Sequence, residues 1–248
     1  MKNIIINYLY KISMDTWGKR ERNVLDLCDV KRNASYLDCG FSDGNLTLKV
    51  SGKIETKKIY GIDVDPNYLR MAKKKGINAL YGNLNEKLPF KNETFDVITA
   101  IEVIEHLHNT DMFVKELFRI CKKGGHVIIG TENLASWHNI FALILGFQPS
   151  TGPWISDFYS IGFYPLRQKH IEILKKKKQL SLVDKHASED KHINVMTRDA
   201  LRKLCVAYGF TIEGEKTSGF YPFSGFISDA LAKLDKRHAL TVVLKLRK

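Results

Sequence analysis

From Ser35 onward, short runs of β-type apolar residues alternate with helix-patterned stretches. That alternation restricts the chain to βαβ units around a largely parallel sheet. Five strands are predicted: Ala34 to Cys39, Lys58 to Ile62, Asn78 to Tyr81, Phe95 to Ala100 and His126 to Gly130. Asp65 and Pro66 supply an N-cap and a first-turn proline for a helix over Asn67 to Lys75, which Gly76 ends. A further helix is predicted from Thr110, with Met112, Phe113, Leu117, Ile120 and Cys121 on its apolar face and Lys122, Lys123 and Gly124 closing it. Asn133 to Phe147 reads as an apolar helix and Gln148 to Tyr164 as aromatic loop. Thr197 caps a helix over Arg198 to Tyr208, before two final strands, Phe210 to Glu215 and Ala239 to Leu246.

A length of 248 residues fits one such domain with its own core, over residues 1–248. Within it, residues 1–32 read as an N-terminal helical cap, since Ile4, Ile5, Tyr8 and Leu9 suit an amphipathic helix, and residues 134–195 as a lid inserted after the fifth strand. A net charge of +12 favours phosphate-bearing or anionic partners, although runs such as Lys73 to Lys75 and Lys175 to Lys178 also suit solvated faces. Cys28, Cys39, Cys121 and Cys205 show no paired spacing, which predicts reduced thiols in a cytoplasmic protein. No run reaches the roughly 18 apolar residues of a membrane span, so the expectation is a soluble chain with at most peripheral membrane contact.

In YLDCGFSDG, an apolar strand runs into Asp38, Gly40, Ser42 and Gly44 where a helix should start. Glycine there lets backbone approach a ligand, and the helix behind offers N–H donors. Asp63 follows about 20 residues later at the end of the second strand, placed to accept ribose hydroxyls. Asn45 stands where a dinucleotide fingerprint would carry its third glycine, so the spacing is acidic-x-Gly-x-x-x-Gly instead.

Together with GIDVDP, GNLNEKLPF, FDVITAIEVIEHL and KKGGHVIIGTEN, in that order, this resembles class I S-adenosylmethionine (SAM) dependent methyltransferases over most of the chain. The resemblance implies a Rossmann-like α/β fold: a seven-stranded, mainly parallel sheet with helices on both faces and an antiparallel final strand. It implies SAM as cofactor, with Asp38 and the Gly40 to Gly44 loop, including Ser42, at the methionine end. Asp63 and Val64 would meet the ribose, Asn83 and Leu84 the adenine, and Ile101 would lie beneath the adenosine. Asn83 and Ser42 depart from the family's usual acid and glycine.

Methyl transfer needs positioning, a dry site and at most a base. AIEVIEHLH sets Glu102, Glu105 and His106 at i, i+3 and i+4, on one face if that segment is helical. His106 can act as base with a carboxylate orienting it, the three can ligate a divalent metal, or they can merely satisfy a helix start; no metal is assigned. EVIEHL resembles the same stretch in ubiquinone-pathway O-methyltransferases and in small-RNA 3′-terminal 2′-O-methyltransferases, where acids and histidine hold a metal. The RNA enzymes add a downstream histidine, for which His138 and His192 stand by order alone.

An apolar run from Trp137 to Phe147, more aromatics from Trp154 to Tyr164, and the basic stretch Arg167 to Lys178 suit a lipid, quinone or glycan acceptor better than nucleic acid. The leading expectation is methylation of an oxygen on a small or carrier-linked acceptor. An RNA ribose methyltransferase and a non-catalytic binding subunit are the alternatives.

Overall fold

The computed structural model describes residues 2–153 and 191–248, apart from the side chains of residues 2–6 and 9. The aromatic run from Trp154, the basic stretch Arg167 to Lys178 and the side chains of Ile4, Ile5 and Leu9 therefore lie outside the described residues. The elements are α1 (Lys2–Leu27), β1 (Ser35–Cys39), α2 (Asn45–Ile54), β2 (Lys58–Asp63), α3 (Pro66–Lys74), β3 (Asn78–Tyr81), β4 (Phe95–Ile101) and α4 (Thr110–Ile120). They continue with β5 (Cys121–Glu132), α5 (Trp137–Ile144), α6 (Arg198–Ala207), β6 (Thr211–Ser218), α7 (Gly225–Leu234) and β7 (Thr241–Arg247).

The seven strands form one sheet in the order β3-β2-β1-β4-β5-β7-β6, parallel from β1 to β5, with β7 antiparallel to both its neighbours. This is the expected architecture. Successive strand residues face opposite sides. Tyr36, Val97, Ile128 and Val243 therefore pack on one face with Val24 of α1 and Val50 of α2, while Leu37, Ile98, Val127 and Leu244 pack on the other with Phe113 of α4 and Leu201 of α6.

Asp65 caps α3 as predicted, its carboxylate accepting the Asn67 N–H at 2.6 Å. The boundary between α4 and β5 is a correction. The helix stops at Ile120, and Cys121 opens the strand opposite Phe95, so the lysines and Gly124 belong to strand rather than to a helix end. Gly124 and Gly125 pair with Lys248, and that pairing extends the strand past the apolar run the sequence shows. Likewise only Trp137–Ile144 of the helix expected from Asn133 forms: Asn133 accepts the Ala135 and Arg198 N–H groups and holds the chain in a turn. The α7 helix was not predicted; its Ser224 makes no side-chain cap and its first turn is exposed. The four cysteines are buried thiols without disulfides. Among the described residues, no helix is long and apolar enough to cross a membrane.

Candidate functional site

In a parallel sheet all carboxyl ends face one edge, and ligands gather where the strand order reverses, here between β1 and β4. Asp38 and the following loop, Asp63, Asn83, Glu102 and Glu132 all come to that edge.

The Asp38 carboxylate is buried and accepts the hydroxyls of Thr47 and Thr99, each at 2.6 Å, tying α2 and β4 to the end of β1. Burial pushes its carboxyl up to about 6, although the two threonines favour the ionised form. Gly40 and Gly44 have φ of 67° and 75°, and Ser42, a non-glycine, has 51°. A Cβ on Gly40 would lie 2.5 Å from Val103 Cγ2, and one on Gly44 would lie 2.8 Å from Ile77 Cδ1. The glycines are thus demanded by backbone conformation and by the protein's own packing.

Asp63 accepts the Ser42 N–H at 3.2 Å and the Asp65 N–H at 2.9 Å; burial raises its carboxyl above the usual range. Val64 beside it is half-exposed. Asn83 accepts the Asn85 N–H at 3.0 Å and donates to Glu86 at 2.8 Å, while Leu84 is a core residue and Ile101 packs, partly buried, against the core.

The helical turn expected to carry Glu102, Glu105 and His106 on one face is a single 3-10 turn, Ile104–His106, that starts beyond Glu102. Glu102 itself has φ of 55°, held by its N–H to the Gly130 carbonyl at 2.8 Å. A glutamate in that region is strained, and such strain persists at functional sites when surroundings fix it.

The segment after residue 190 docks on this turn, with the Ile193 and Asn194 N–H groups donating to the Glu105 carbonyl at 2.7 and 3.0 Å. Docking brings His192 against His106, ring centroids 5.0 Å apart, and places ligating atoms of Glu105, His106 and His192 within 4.8 Å of one another. Nδ1 of His106 faces the Lys191 carbonyl and Nδ1 of His192 the Thr151 carbonyl, both at 3.1 Å. A carbonyl only accepts, so in these hydrogen bonds each ring donates from Nδ1.

Glu105 is fully buried, its carboxylate met only by its own backbone N–H and the Thr131 hydroxyl, neither in good hydrogen-bond geometry. Burial, reinforced by the Glu102 charge, holds its carboxyl well above the usual range. Burial also pushes Glu132 up to about 7 and raises Glu102, which Arg20 opposes. Glu132 lies 3.9 Å from His192. Glu105, His106 and His192 form a donor set suited to a divalent cation with imidazole affinity. His138, the other downstream candidate, packs on Tyr221 instead, and burial lowers it to about 4. Sequence reasoning did not favour His192 because only the fold, acting across the chain, brings it to His106.

The sequence matches a family described as a methyltransferase domain over residues 17–215, which is most of the chain. The chain is a SAM-dependent methyltransferase. The ubiquinone/menaquinone biosynthesis C-methyltransferase UbiE of Escherichia coli is 30% identical over 117 residues, covering 44% of this methyltransferase and 47% of that one. The methyltransferase thus matches about half the length of such relatives. An S-adenosylmethionine dependent methyltransferase from Mesorhizobium loti superposes with a TM-score of 0.59 at 14% identity, over 92% of this chain and 96% of that one. A chain from the complex of the Haloferax volcanii Trm112 methyltransferase activator with a methyltransferase gives 0.58 at 13%, over 91% and 87%. At those identities the structural likeness shows the fold.

Proposed function

We propose that the methyltransferase moves the SAM methyl group to an oxygen of a small or carrier-linked acceptor of the lipid, quinone or glycan kind, by in-line displacement. The convergence of Glu105, His106 and His192 beyond β4 and β5 carries this reading, because a base beside carboxylates suits removal of a hydroxyl proton. SAM, when bound, supplies the activated methyl. Asp38 and the Gly40 to Gly44 loop hold its methionine end and Asp63 its ribose. Two buried acids at the sheet's switch point, of which Asp63 takes the Ser42 N–H of the loop, support that placement. His106 takes the acceptor proton on Nε2, with Glu102 and Glu105 steadying the charge. Exposed Phe141, Ile144 and Leu145 at the end of α5 suit an acceptor with an apolar body.

A second reading rests on the grouping of Glu105, His106 and His192 around one point. These three would hold a divalent cation, which would supply Lewis acidity toward an acceptor hydroxyl such as that of an RNA ribose or a hydroquinone.

The test incubates the protein and His106→Ala with methyl-labelled SAM and hydroxylated probes: a prenylated hydroquinone, a phenol and an RNA with a free 3′-terminal ribose. Each runs with Mg²⁺, Mn²⁺ or a chelator. An O-methyl product that His106→Ala abolishes is expected; label on carbon, as the name of the UbiE relative would suggest, overturns the oxygen reading. SAM binding without transfer to any probe favours a non-catalytic subunit.

A further inference from the structure

The donor set at the 3-10 turn has a cationic neighbour from the far end of the chain. Arg20 of α1 lies 2.7 Å from Glu102 Oε2, with only 15% of its side chain exposed. Glu102 Oε1 has no hydrogen-bond partner, and the buried Glu105 carboxylate is met only by its own backbone N–H and the Thr131 hydroxyl, neither in good geometry. The Arg20 charge acts on Glu102 and Glu132, and the Glu102 charge acts in turn on Glu105, His106 and His192. One guanidinium therefore faces three buried carboxyl groups, whose ionisation a further positive charge in the site would favour.

We infer that Arg20 is the resident counter-ion of this site: it holds Glu102 until a divalent cation on Glu105, His106 and His192 takes over that carboxylate and loosens α1. The inference rests on the divalent-cation reading above. Two positive charges so close to one carboxylate repel each other strongly in a site screened from water, so the guanidinium and the ion compete for Glu102. The rest of α1 is anchored independently. Lys19 pairs with Asp15 at 2.8 Å and with Asp229 of α7 at 2.6 Å, and Ile12 and Val24 are buried. Release of Arg20 thus loosens α1 locally, while Ile12, Lys19 and Val24 keep the helix on the domain.

The test is calorimetric titration of MnCl₂ into the full chain, its Arg20→Gln and Arg20→Lys variants and His192→Ala, with SAM titrated into each as a control of the fold. Arg20→Gln should bind Mn²⁺ about tenfold or more tightly than wild type, Arg20→Lys should stay near wild type, and His192→Ala should weaken it. Hydrogen exchange on wild type should quicken around Arg20 when Mn²⁺ is added. Equal Mn²⁺ affinity in wild type and Arg20→Gln, or exchange unchanged by Mn²⁺, overturns the counter-ion role while leaving the cation site standing. Absence of Mn²⁺ binding in every protein that still binds SAM overturns both.

Discussion

The carboxylate of Asp63 accepts the backbone N–H of Ser42, so the end of β2 grips the loop that leaves β1. Asp63→Ala should weaken SAM binding ten- to a hundredfold, since hydrogen bonds to a charged group contribute about 1.5–3 kcal/mol. Calorimetric titration measures it, and an unchanged Kd would remove Asp63 from the cofactor site.

Asp38 ties two opposite trends to pH. Its carboxyl, pushed up to about 6 by burial, binds a proton more tightly folded than unfolded, so its contribution to apo-protein stability is lost as pH rises through about 6. A SAM ammonium needs the ionised form, so the Kd should be roughly tenfold weaker at pH 5 than at pH 7. Asp38→Asn should flatten the binding profile. A profile equally steep in that variant assigns the dependence elsewhere.

Gly40→Ala should destabilise the fold by roughly 2 kcal/mol or more, from its φ of 67° and the clash with Val103. Pairing it with Val103→Ala should cost less than the two single losses added together. Urea denaturation at pH 7 reads all three, and strict additivity would mean the clash is not what Gly40 avoids.

Asp96 joins the start of β1 to β5: it takes the Ser35 N–H at 2.9 Å and pairs with Lys122 at 2.7 Å and Lys31 at 3.1 Å. Burial alone would raise its carboxyl, but these partners outweigh it and hold the group down at about 2. A lowered pKa stabilises above the unfolded value, so the contribution is present at neutral pH and lost as pH falls from about 4 to 2. Asp96→Asn should therefore cost about 2 kcal/mol at pH 7 and progressively less below pH 4. A constant difference between wild type and variant across that range would refute the assignment.

Strands β1 to β4 and the Asp65 cap were legible because apolar periodicity and helix punctuation are local. The loop at Asp38 and its distance to Asp63 were legible as well, though not the bond between Asp63 and Ser42. Elsewhere distant pairing decided. Lys248 recruits Gly124 and Gly125 into a strand, and the Glu105 carbonyl captures the backbone of Ile193 and Asn194. The 3-10 turn and the positive φ of Glu102 escaped a reading that assumed helical spacing. Arg20 carried no signal, since a lone arginine in a basic helix gives no hint of the carboxylate it faces.

The place of β7 bears on how the chain acquires its shape during synthesis. β7 follows β6 along the chain yet lies between β5 and β6. Until the ribosome has delivered β7, β6 has no strand to pair with, and part of the bed on which α1 rests is missing. Helix α1 then gains that part of its support only with the seventh strand. A nascent chain arrested before residue 241 should expose its apolar surface to chaperones, and Arg20 should reach Glu102 only once translation has passed that point.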